Sequence, residues 1–332
     1  MAGTLMISLD FELFWGMLDV CPLSQYEQNI LGGRRAIPRL LRLFREHGIH
    51  ATWAAVGFLF AENKEEARKY FPACPPSYEN SRLDPYSWFE KIGDNEEQAP
   101  CFFCPSLIRM VADTPGQEIG SHTFCHFYCQ EKGQTLEQFR YDMCAAKDIA
   151  LDHGYDLTSV ILPRNQCSPE YAAVLGELGF TAYRDVENDW IHKKLKFGLF
   201  RRALQLLDIY LPLTGLSGVE PVKEGNIWNF DGTRMYKAIR PHLRFLEGLK
   251  LHRIKSQMRY AAKHNKTFHL WWHPHNLGVD TDEHFRQLEE IFAYYDELKE
   301  KYGMRCLNMR EAAELLDQGR YETAVRKQKK DR

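Results

Sequence analysis

Five times along this 332-residue chain an apolar, strand-like run breaks off into a polar cluster. Met6-Ile7-Ser8-Leu9 ends in Asp10-Phe11-Glu12, and Glu118-Ile119-Gly120-Ser121 runs into His122-Thr123-Phe124-Cys125-His126. Ser159-Val160-Ile161-Leu162 leads to Pro163-Arg164-Asn165-Gln166, residues 180–184 lead to a loop at 185–190, and residues 267–272 end in His273-Pro274-His275-Asn276. Buried strands that alternate with helices pair in parallel, and in βα barrels the catalytic groups gather where the strands end. The recurrence predicts an α/β chain whose polar clusters converge on one rim.

The segments between the clusters fit that rhythm. Residues 32–47 read as an amphipathic helix with Ile37, Leu40, Leu41 and Phe44 on one side, closed by Gly48, and a strand at 50–56 follows at once. Further helices are expected at 136–153, 169–178, 253–264, 282–302 and 310–316, with a short strand around Cys306. Two stretches depart from the pattern. Residues 64–116 are rich in Pro, Asn, Cys and aromatics and read as an insertion of short helices covering the mouth of a site; residues 191–250, with Gly215, Gly218 and Gly225, read as a second peripheral insertion. Residues 1–318 thus form one domain, and 319–332 a charged tail.

Composition excludes several functions. Lys and Arg number 43 against 45 Asp and Glu, and no basic stripe interleaved with aromatics appears, so nucleic acid is not the expected partner. No run approaches the roughly 18 apolar residues of a membrane span, and the first residues enter a strand without a charged or apolar leader, so the expected location is cytoplasmic. Nine cysteines, an odd number, are expected to be reduced thiols. Cys101, Cys104, Cys125 and Cys129 have a spacing open to a structural zinc knuckle, but the second pair interleaves with two histidines and is not C-x-x-C, so buried thiols are the favoured reading. There is no G-x-S-x-G, since Gly215-Leu216-Ser217-Gly218 lacks the last glycine, and no phosphate-binding glycine loop. Self-association is left open.

The histidine pair carries the most chemistry. Two imidazoles four residues apart on a helix, or a turn of one, can share one ion. A catalytic divalent ion usually takes three protein ligands, so a third, a carboxylate, is expected elsewhere. In a strand, Asp10 and Glu12 point to the same face and can enter one cavity.

Taken together, Ser8-Leu9-Asp10-Phe11-Glu12, His122 to His126, Leu162-Pro163-Arg164-Asn165-Gln166, Asp189-Trp190 and Trp272-His273-Pro274-His275 resemble the motif series of the polysaccharide deacetylases with a NodB-homology domain, carbohydrate esterase family 4. The likeness runs from about residue 4 to 316, apart from the two insertions. It implies a distorted (β/α)7-type barrel and a divalent metal, zinc first. It further implies Glu12, His122 and His126 as metal ligands, Asp10 as catalytic base and Arg164 as the group orienting that base. His273 or His275 would be the general acid, Asp189 would tune it, and Trp190 and Asn165 would contact substrate. The first motif departs from the commonest family form, because its acids stand two apart and the second is Glu.

The activity implied is hydrolysis of the acetamide of an N-acetylated sugar, in a polysaccharide or a lipid- or nucleotide-linked precursor. The alternative is an allantoinase-like amidohydrolase acting on a small cyclic amide or ureide. A catalytically silent carbohydrate-binding member would need a broken ligand set, and every candidate is present. Trp53, Trp88, Trp228, Trp271 and Trp272 are core residues by default, with sugar stacking the alternative.

Overall fold

A computed structural model describes residues 3–187, 189–195 and 198–319. Ten strands lie in one sheet: β1 (Thr4–Phe11), β2 (Ala51–Ala55), β3 (Gln117–Ser121), β4 (Ser159–Ile161), β5 (Ala182–Arg184), β6 (Val222–Glu224), β7 (Ile227–Asn229), β8 (Arg234–Met235), β9 (Thr267–Trp272) and β10 (Arg305–Cys306). Their order is β6-β7-β5-β4-β3-β2-β1-β9-β8, with β10 added beside the start of β1. Every pairing is parallel except the β6–β7 hairpin.

The sheet curls into a distorted barrel of seven staves, and the seventh is divided. Its first half follows β5, with the Phe230 and Gly232 amides donating to the Tyr183 and Asp185 carbonyls at 2.9 and 3.1 Å. Its second half follows β9, with the Thr233 and Tyr236 amides donating to His269 and Trp271 at 2.9 and 2.8 Å. The chain crosses the gap between the two edges in a few residues.

Side-chain alternation separates two cores. On β1, Leu5, Ile7, Leu9 and Phe11 face outward into the large cluster under the helices. Met6 faces inward with Ala54, Ile161, Ala182 and Phe230, and the helix Met309–Asp317 closes the bottom of this inner core through Met309, Ala312 and Ala313. An apolar plug below leaves the inward positions above it, Ser8 and Asp10, free to be polar.

The first helix spans Leu23–His47, nine residues longer at its start than the periodicity predicts, and ends at Gly48 with φ of 60°. Gly32 and Gly33 let this helix lie against the turn Pro274–Leu277: a Cβ on Gly33 would stand 2.6 Å from the His275 Cα. The 64–116 segment carries the expected short helices at Lys64–Lys69, Pro85–Phe89 and Pro105–Ala112. It packs behind the loop after β1 rather than over a mouth, where Trp15 donates to the Phe102 carbonyl at 2.8 Å and meets Phe58 and Phe102. The four cysteines Cys101, Cys104, Cys125 and Cys129 are buried free thiols, and burial pushes the Cys125 thiol up. No helix among the described residues is long and apolar enough to cross a membrane.

Candidate active site

Polar side chains from all five strand ends meet at the top of the barrel: Asp10 and Glu12, His122 and His126, Asn165, Arg184 and His273. Nε2 of His122 and of His126 lie 3.2 and 3.0 Å from one oxygen of Glu12, and all three side chains are buried. His122 continues β3. The segment after it is not helical, contrary to the expectation from the four-residue spacing: Thr123 and His126 adopt φ of 65° and 63°. The loop is held from below by Asp142, whose carboxylate accepts the amides of Phe124 and Cys125 at 2.7 and 3.2 Å. Burial pushes the Asp142 carboxyl up to about 6.

Glu12 is confined by its own chain. A Cβ on Gly16 would fall 2.1 to 2.4 Å from the Glu12 carboxylate, so only glycine leaves room for it. Burial alone would raise Glu12, but His273, His122 and His126 outweigh it and hold the carboxyl well below its ordinary range. The Nδ1 atoms of His122 and His126 are buried without a hydrogen-bond partner. Two imidazoles and a carboxylate, with ligand atoms within 4.8 Å of one another, are a donor set that could hold a divalent metal ion.

Asp10 sits beside this cluster. Its Oδ2 accepts from Arg184 Nη2 at 2.8 Å, while its Oδ1 is buried with no partner. Burial pushes its carboxyl up, and the opposing charges of Arg184, His273 and His122 bring it below the usual value. Arg184 is the residue the sequence reading missed. It is fully buried and also donates to Ser8 Oγ at 2.8 Å and to Asn165 Oδ1 at 3.0 and 2.9 Å, with its guanidinium 4.2 Å over the Trp271 ring.

Because Ser8 Oγ accepts from Arg184, its own hydrogen goes to His269 Nε2 at 2.8 Å. His269 Nδ1 then donates to the Phe230 carbonyl at 3.1 Å. Burial and the Arg184 charge push the His269 ring down to about 3. This chain of bonds fixes Arg184 and, through it, Asp10.

Arg164 is not placed as expected: the arginine that pairs with Asp10 is Arg184. Arg164 pairs with Asp19 at 2.5 Å and Glu131 at 2.6 Å on the rim and lies 4.3 Å over Tyr128. Asp189 does not reach His273; it caps the helix Trp190–Lys194 and pairs with His192 at 2.7 Å. Trp190 is 40% exposed and donates to the Leu213 carbonyl at 3.2 Å, outside the cavity that holds Asp10 and Glu12. Asn165 lines that cavity, but its carbonyl oxygen is spent on Arg184.

His273 Nε2 lies 3.5 Å from Glu12 and 3.7 Å from Asp10, at the edge of a cavity of about 330 Å³. His275 stacks on it at 4.9 Å, is buried, and is pushed down to about 3 by that burial and by the neighbouring His273 charge. Tyr26 and Met17 line the same cavity, and no residue of 64–116 does. Among the described non-glycine residues with positive φ, five of seven stand on these loops: Leu13, Thr123, His126, Arg164 and Asn165. Such conformations cost roughly 1–3 kcal/mol each and persist where the surroundings over-determine them.

The comparisons agree with this architecture. The family model described as Polysaccharide deacetylase matches residues 19–183, about half of the chain, and so includes His122 and His126 but not Asp10, Glu12, Arg184 or His273. A search of curated proteins finds no match. The fold is similar to that of a Mycobacterium smegmatis protein assigned to the polysaccharide deacetylases, with TM-score 0.60 and 13% identity over 96% of this chain and 92% of that one. It is similar also to a Pseudomonas aeruginosa PAO1 protein with the same assignment, at TM-score 0.53 and 17% identity over 93% and 89%. A 4-alpha-glucanotransferase from Thermococcus litoralis shares the fold at TM-score 0.53 and 16% identity, over 94% of this chain but 40% of that one. Those likenesses establish the architecture alone. The family match itself shows that the chain belongs to the polysaccharide deacetylase family.

Proposed function

We propose that the chain is a metal-dependent N-deacetylase that hydrolyses the acetamide of an N-acetylated sugar. The observation that carries this reading is the meeting of Glu12, His122 and His126 next to a carboxylate with one oxygen uncommitted. A divalent cation, zinc by the nitrogen-rich donor set, would be held by Glu12, His122 and His126 and would supply Lewis-acid polarisation of the acetyl carbonyl and a more acidic water.

The chain's own residues do the rest. Asp10 Oδ1 accepts the proton of the attacking water, while Arg184 on Oδ2 keeps the group ionised and aimed. The water oxygen bonds to the carbonyl carbon, and the C–N bond breaks as nitrogen takes a proton. His273 Nε2 is the donor in this reading, because it faces the cavity, whereas His275 is buried and held neutral. Acetate and a free amine result. No feature of the site favours the cyclic-ureide alternative.

The test is metal analysis of purified protein joined to an acetate-release assay on N-acetylglucosamine oligomers and conjugates. The expected result is close to one divalent ion per chain and acetate release that a chelator abolishes and metal restores. Protein that binds no divalent ion and frees no acetate from any of these substrates overturns the proposal.

A further inference from the structure

A second cavity, of about 240 Å³, adjoins the catalytic one and shares Arg164, Asn165, Met235 and Trp271 with it as walls. Its other walls come from the loop and helix after β5, the helix Leu199–Tyr210, and the chain from β8 to Lys237. No step of the proposed hydrolysis uses this space.

The charges that line it are unequally engaged. Asp208 accepts from Arg234 and Arg253 at 2.8 and 3.3 Å, Asp189 caps a helix and pairs with His192, and Glu187 accepts the Met235 amide at 2.7 Å. Arg164 is held by Asp19 and Glu131. Lys237 differs. Its Nζ lies 2.7 Å from the Met235 sulfur, a weak acceptor, and among the described residues no carboxylate forms an ion pair with it. Burial pushes the Lys237 ammonium down; Glu187 opposes that, and the charges of Arg240 and Arg234 add to it. A partly buried cation crowded by two others, with no counter-charge in contact, is costly unless a ligand supplies the negative charge.

The form of the cation narrows the ligand. The forks of Arg164 and Arg234, suited to a planar carboxylate, are occupied by the protein's own acids. An ammonium is a compact point charge, which a tetrahedral phosphate can meet with any of its oxygens.

We propose that the second cavity holds a phosphate group of the substrate, with Lys237 as its charged contact, while the acetamide of the same sugar occupies the catalytic cavity across the shared wall. The substrate class named here, a phosphorylated N-acetylated sugar, rests on the deacetylase reading; the phosphate site does not.

Calorimetric titration of the purified full chain with N-acetylglucosamine, N-acetylglucosamine 1-phosphate and UDP-N-acetylglucosamine is the test. The phosphorylated sugars are expected to bind at least about tenfold more tightly than the neutral one. Lys237→Met should remove that preference and Lys237→Arg keep most of it, both with melting temperatures close to wild type. Tighter binding of UDP-N-acetylglucosamine assigns the phosphate to a diphosphate ester, and tighter binding of the monoester to a simple sugar phosphate; either supports the site. Equal affinity for neutral and phosphorylated sugars, or an unchanged preference in Lys237→Met, overturns it. So does a preference that chelator treatment abolishes, which would put the phosphate on a bound metal instead of in the second cavity. The titrations do not depend on acetate release, so a chain that binds the phosphate yet frees no acetate keeps this site and loses the deacetylase reading.

Discussion

Among the described residues, two clusters pair carboxylates with histidine closely enough to share an ion. Glu12, His122 and His126 form one; Glu187, Asp189 and His192 form the other. Their difference lies in what their polar atoms are already doing. In the second, Asp189 caps a helix, Glu187 accepts the Met235 amide at 2.7 Å, and His192 Nε2 is 2.8 Å from the Gln205 amide nitrogen. All three of its side chains are only partly buried. In the first cluster the side chains are buried, ring nitrogens are left without partners, and a glycine makes room for the carboxylate. Proximity of ligand types makes a candidate; uncommitted atoms in a dry, shaped place make a site.

The sharpest way to break the comparison is to remove a ligand from each cluster. His122→Ala should eliminate stoichiometric metal and acetate release, while Glu187→Gln leaves metal content unchanged; equal loss from both would erase the distinction. Next in size, Asp10→Asn should keep the metal, by elemental analysis, and lower kcat by about 10²–10⁴-fold. Arg184→Met would leave Asp10 as an uncompensated buried charge, so unfolding in urea should show a loss of about 3–5 kcal/mol.

The pH dependence of stability probes the same buried surroundings without a mutation. His269 and His275 are held near 3 in the folded protein against 6.5 unfolded, so the unfolded chain binds more protons between those values. Stability is therefore full above pH 6.5 and falls on acidification toward pH 3, by up to about 1.4 kcal/mol per pH unit for each ring. Urea midpoints between pH 7 and 4.5 measure it, and His269→Gln should flatten the slope. The least effect is expected of Asp189→Ala, roughly 1 kcal/mol from a lost helix cap, with kcat on a small soluble substrate unchanged.

The strand ends that matter were readable as sequence, because an apolar run stopping at Asp10, His122 or His273 needs no tertiary information to be seen. The barrel followed from the alternation of strand and helix patterns. Arg184 was not readable. It closes the short strand β5, and nothing local says that an arginine there faces inward; only the curl of the sheet brings it across to Asp10 and Ser8. Arg164 was mistaken for it because it stands in a conspicuous motif, yet its left-handed φ of 59° turns it to the rim acids Asp19 and Glu131. The same limit applies to Asp189 and Trp190, whose surroundings depend on an insertion without periodicity. The 64–116 segment was expected over the mouth because its length suggested a lid, whereas its aromatic residues bury themselves behind Trp15.

Gly16 contributes no atom to the chemistry, yet it decides how ready Glu12 is to meet a cation. A glutamate free to turn about its three side-chain bonds gives up about 1.5–2 kcal/mol of rotamer freedom when it is fixed. Pressed into the hollow over Gly16, Glu12 has surrendered that freedom already when the chain folds. In the proposed metal site, ion capture would begin from a ligand that has stopped searching, and its affinity would be set in part at a position where nothing binds.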